Sequence, residues 1–163
     1  MSAASRLRNL ATVTRGLLLG LLSAQWRARL REAQALERGL PARLQLPLPD
    51  ALAGLTRPRP DLPSVSPDRL RLLCDTAALL DRRSPLGLCL RRSLVRYHFL
   101  RRAGVPVVLQ FGAKFKSGQP DRDVAGHAWL TLHGEPYYED GENYEGFIVM
   151  FQFPAEDVAS RMA

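Results

Sequence analysis

Two cysteines in 163 residues are too few for a disulfide scaffold, and they point to a reducing compartment, the cytoplasm. No apolar run reaches the roughly 18–20 residues that cross a bilayer. Histidine is also scarce: His98, His127 and His133 are the whole set. The last two lie six apart with both cysteines far upstream, which is not a zinc spacing, so no metal or other cofactor is expected. Internal repeats are missing. What remains is ordinary: 46% apolar and 24% charged residues exclude a disordered or fibrous chain. The length suits one domain with a real core.

Charge is unevenly spread. Residues 1–60 carry ten arginines against Glu32, Glu37 and Asp50, whereas residues 61–163 carry thirteen side chains of each sign. A nucleic-acid-binding core would itself be basic, and no DNA or RNA motif accompanies the excess, so no nucleic-acid partner is expected. The positive segment instead suits an anionic surface or an acidic partner.

Residues 5–38 read as one helix, with Leu7, Leu10, Val13, Leu17, Leu21 and Leu22 near a 3.6-residue period, ended by Gly39 and Pro41. Arg6, Arg8 and Arg15 before the apolar run Gly16–Ala24 resemble a secretory signal, but Leu22-Ser23-Ala24 is not a clean small-x-small cleavage site. Leucine on one face and arginine on the rest would suit contact with a membrane surface or a partner. The plain alternative is a helix packed on its own domain. Residues 41–67 hold seven of the twelve prolines and predict an extended connector. The expected organisation is a basic amphipathic helix over 1–40, a Pro-rich connector over 41–66 and the main domain over 67–163.

Ser66-Pro67 predicts a helix start, with apolar spacing continuing to about Asp81. A second helix is expected from Ser84-Pro85 to Ala103, capped by Gly104. The period then falls to two. Strands are expected over 107–113, 127–132, 137–140 and 147–153, with a turn at 133–136. Helices first and antiparallel strands afterwards make an α+β domain.

Cys89 falls in the first turns of the second helix, where unpaired backbone N–H groups and the helix dipole favour a thiolate. The same N–H groups could hold an oxyanion. Gly87 leaves room there for a substrate carbonyl. Cys74, in mid-helix among leucines and alanines, reads as core. His127, on a strand beside Trp129, is the candidate base for the thiol. His98 and His133 read as packing or surface residues. An orienting carboxylate is needed, and Glu139 and Asp140 both qualify. A three-residue hairpin loop puts Glu139 on the face of His127, and a four-residue loop puts Asp140 there.

Cys89-Leu90-Arg91-Arg92-Ser93-Leu94, Ala103-Gly104-Val105-Pro106, Gly126-His127-Ala128-Trp129-Leu130, Gly134 and Glu139 together resemble the lasso-peptide leader peptidases of the transglutaminase-like superfamily. The resemblance covers roughly residues 65–153. It implies a papain/transglutaminase-like α+β fold, with N-terminal helices and the nucleophile helix packed on an antiparallel sheet. It also implies a triad of Cys89, His127 and Glu139, the acid twelve residues after the histidine, with Asp140 as the alternative acid. Gly87 and Trp129 are the substrate-binding candidates.

By the same resemblance, the partners would be a precursor (leader) peptide, a separate leader-recognition protein and a macrolactam-forming lasso cyclase. Residues 1–60 do not resemble the winged-helix-like recognition module of the family. Amide transfer through the same thioester and a non-catalytic peptide-binding scaffold are the alternative functions.

Overall fold

A computed structural model describes residues 3–56, 61–62, 65–116, 123–139 and 144–154. The order is five helices followed by four strands: α1 (Ala3–Leu22), α2 (Ala24–Arg43), α3 (Leu48–Ala53), α4 (Pro67–Leu80), α5 (Leu88–Arg102), β1 (Val108–Phe115), β2 (Val124–Leu132), β3 (Glu135–Pro136) and β4 (Ile148–Phe153). This is the expected α+β class. The chain divides into two compact units, one up to Val105 and one from Pro106 onward.

In the helical unit, the single helix read over 5–38 is in fact two. Ser23 takes extended dihedrals (φ −138°, ψ 118°) and its side chain accepts from the backbone N–H of Trp26. It is thus the N-cap of α2, which stops α1. The residues that follow fold back on α1: the Trp26 indole donates to Gly16 O at 2.8 Å, and Arg27 donates at 2.7 Å to Gly20 O, one of the terminal carbonyls. Pro41 does not end α2, which continues to Arg43.

The Pro-rich stretch is not wholly extended either. It contains α3, because Pro49 sits in the first turn, where a missing N–H removes no helical bond. Ala51, Leu52 and Leu55 bury completely there. The prolines at 58, 60 and 63 lie outside the described residues. Ser66 caps α4 and Pro67 opens it, as expected.

α4 packs against α1, α2 and α5, and supplies Leu70, Leu73, Cys74, Ala77 and Ala78 to the core. The α1 contact leaves six of the helix's leucines 46–84% exposed. It uses Gly16, where a Cβ would stand 2.1 Å from Thr76 Oγ1. Only glycine lets the two backbones approach this closely.

The second unit is an antiparallel sheet in the order β3-β2-β1-β4. The returning strand expected over 137–140 is instead the two-residue β3. The loop is shorter than either length considered, since Leu132 pairs with Glu135 across His133-Gly134 alone. Both loop residues have positive φ (53° and 85°), the twist that matches a tight hairpin. Residues 128–131 of β2 are buried on both faces.

Candidate active site

α5 begins at Leu88, with Gly87 as N-cap, later than Ser84-Pro85 suggested. The later start puts Cys89 in the first turn. Gly87 has no side chain that could cap the first N–H groups, and a Cβ there would meet only Cys89 Sγ, at 3.9 Å. Cys89 is half-buried and not disulfide-bonded. A sulfur placed here lies where the helix end favours negative charge.

Arg91 fixes this tip, and sequence reasoning gave it no role. Its guanidinium donates to Leu86 O (3.1 Å), Asp81 O (2.7 Å), Ala78 O (2.9 Å) and Glu37 Oε1. Leu86 and Asp81 belong to the loop that leads into α5, so one side chain ties that loop to α4 and α2. Glu37 is 0% exposed and Arg91 7%. Burial raises the Glu37 carboxyl above its ordinary range, against the pull of Arg91. Two further arginines of α5 are held similarly: Arg96 forks onto Asp75 (2.7 and 2.8 Å), and Arg102 onto Asp61 (2.7 and 2.8 Å) and Glu32. A lone arginine in a helix usually reads as solvated. The only available signal was that Arg91 lies inside the Cys89–Leu94 motif.

In the sheet unit, His127 pairs with Gly112 of β1. Its Nε2 lies 3.8 Å from Glu139 Oε2, with side chains 13% and 12% exposed. That is an ion-pair distance, longer than a hydrogen bond. The imidazole stacks on Trp129 (centroids 5.7 Å apart, planes at 15°) and abuts Phe147 at 5.4 Å. Lys114 lies 4.3 Å over the opposite partner's ring, that of Phe147.

Trp129 is only 3% exposed, so what it presents is a floor for the imidazole and very little surface to a substrate. It fits because residue 112 is glycine: a Cβ there would fall 2.7 Å from the indole. Gly112→Ala should therefore tilt Trp129 and His127. The expected outcome is about 1–3 kcal/mol of lost stability in urea melts, the usual result of overpacking.

Strand parity leaves Glu139 and Asp140 both open, and it assumes a returning strand over 137–140 that the structure does not contain. The β2–β3 ladder is only two pairs long, and Tyr138 has φ 59°, which breaks the strand alternation before Glu139. The backbone turn, not the loop length, brings the Glu139 carboxylate to the ring. Asp140 lies outside the described residues.

The other candidates fall where expected. His98 is buried, with Nδ1 2.7 Å from Leu55 O, and His133 is exposed in the turn. Cys74 is 0% exposed, and burial pushes its thiol well above the ordinary range. Alkylation at neutral pH should therefore label one thiol, Cys89, with Cys74 reacting only after denaturation. Peptide mapping of the labelled chain checks this; labelling of native Cys74 would contradict it. Among the described residues no group of three or more His, Cys, Asp or Glu could hold a metal ion.

Cys89 and Gly87 thus stand together at a helix tip, and His127, Glu139 and Trp129 stand together on the sheet. The first group has the chemistry of a nucleophile and oxyanion site, the second that of an oriented base. No curated protein and no solved structure matches the chain. A family model, however, spans residues 17–152, most of the length and both groups. The chain belongs to the transglutaminase-like superfamily, which includes cysteine peptidases.

Proposed function

We propose that the protein is a cysteine peptidase that removes the leader from a ribosomally synthesised lasso-peptide precursor. The observation that carries the reading is the Glu139 carboxylate 3.8 Å from Nε2 of a nearly buried histidine. An acid so placed stabilises the imidazole when it is protonated, while the stack on Trp129 supports the ring. With Nε2 turned to Glu139, the nitrogen that meets the nucleophile in this scheme is Nδ1.

The reaction then runs in two halves. Cys89 gives its proton to His127 and Sγ attacks the carbonyl carbon of the last leader residue. The N–H groups of the first α5 turn hold the oxyanion. His127 passes the proton to the leaving amine of the core peptide, and the leader remains as a thioester on Cys89. His127 next takes a proton from water, whose oxygen attacks the thioester. Sulfur leaves and the leader departs with a new carboxylate.

Leader recognition would come from a separate protein, and a lasso cyclase would close the core. In support, residues 3–56 form helices only, with none of the strands that a winged-helix-like module needs. The test is incubation of a candidate precursor and recognition protein with this chain, read by mass spectrometry. The expected products are leader and core whose masses sum to the precursor plus one water. Transfer of the leader acyl group to an added amine, without hydrolysis, would favour amide transfer instead. An intact precursor in the complete mixture would overturn both.

A further inference from the structure

The face of α1 that packs is not its apolar face. Around a helix of 3.6 residues per turn, Thr12, Gly16 and Gly20 share one side. Gly16 and Gly20 are buried, and Thr12 O lies 3.4 Å from Thr76 Oγ1 of α4. Leu7, Leu10, Leu17, Leu18, Leu21 and Leu22 occupy the opposite side and are 46–84% exposed. Six leucines in one exposed stripe are far more apolar surface than scattered surface residues explain.

Charge indicates what covers it. The helix has no acidic residue. Exposed Arg6 borders the stripe on one side, and exposed Arg8 and Arg15 on the other. Of the three carboxylates in residues 1–60, Glu37 is committed to Arg91 and Glu32 to Arg102. Within residues 1–60, ten arginines against three carboxylates leave the segment strongly basic. A second copy docked stripe to stripe would bring the same arginines together, and neither α1 carries an acid to meet them. No helix among the described residues is long and apolar enough to cross a membrane.

We propose that α1 is a surface anchor, lying in the plane of an anionic lipid interface. The leucines would enter the acyl boundary while the flanking arginines meet headgroup phosphates. This does not rest on the peptidase reading, and its assay involves no turnover.

The experiment is co-sedimentation of the full chain with phosphatidylcholine vesicles, with or without phosphatidylglycerol. Binding is expected on the phosphatidylglycerol vesicles and should weaken as salt rises. Replacing Leu21 and Leu22, 78% and 84% exposed, with serine should weaken it at least about tenfold. The helical circular dichroism should not change. Replacing Arg6 and Arg15 with glutamine should remove the preference for anionic vesicles. Three results would overturn the proposal. One is no pelleting with phosphatidylglycerol vesicles. Another is undiminished pelleting of the serine variant. The third is a solution dimer that the serine variant makes monomeric, without vesicle binding.

Discussion

With Cys89 replaced by alanine, precursor cleavage should fall by roughly 10⁴-fold or more, since removing the nucleophile of a triad leaves only binding and oxyanion contacts to act. Stability should move little. The side chain is small and only half-buried in the first turn of α5, so losing it should cost about 1 kcal/mol or less, well below the cost of emptying a fully buried core site. The pair of results is what identifies a catalytic side chain: activity lost, melting little changed. Cys74→Ala should show the reverse. Its sulfur sits at 0% exposure in the α4 core, so the variant should melt lower yet cleave normally. Cleavage that survives Cys89→Ala would remove the thiol from the mechanism.

The largest expected loss of stability belongs to Arg91→Ala, at about 3–5 kcal/mol, the usual result of removing one partner from a buried ion pair. The variant leaves Glu37 at 0% exposure without its cation, and the carbonyls of Ala78, Asp81 and Leu86 without their donor. The loss should depend on pH. Burial already raises the Glu37 carboxyl above 4.5 in the folded chain, and without Arg91 it rises further. A carboxyl with a raised folded pKa binds a proton that the unfolded chain has released. Its contribution is therefore full below the unfolded pKa and lost as pH rises toward the folded one.

The deficit of Arg91→Ala should accordingly grow between about pH 4.5 and neutrality, as urea melts at several pH values would register. Adding Glu37→Leu to Arg91→Met should recover part of it, because neither charge is then left alone in the core. A flat pH response would mean that Glu37 is not the group left unbalanced.

Local signals read well from the sequence. The Ser66-Pro67 start, the Gly104 stop and the change of period after it depend on residues next to one another. So does the placement of Cys89, and it came out closer to the helix start than the Ser84-Pro85 signal suggested. What failed was non-local or depended on a single backbone angle. A serine at 23 inside a leucine-rich run looked like a helix residue, because its role as N-cap depends on Trp26 and Arg27 folding back. The leucine period of α1 marks a helix, but periodicity does not say which face packs, and the face that packs carries Gly16 and Gly20. Strand parity could not choose between Glu139 and Asp140 once Tyr138 adopted φ 59°. Arg91 was invisible because its partners are three carbonyls and a carboxylate from two other helices and a loop.

The proposed chemistry is tested most directly by the intact mass of the protein, quenched in acid during turnover of the precursor with its recognition protein. The account predicts a transient species heavier by the leader less one water, carried as a thioester on the tryptic peptide that contains Cys89, and not formed when His127 is replaced, because the same imidazole drives acylation. An adduct on any other residue, or steady cleavage with no adduct at all under conditions that slow hydrolysis, would contradict it.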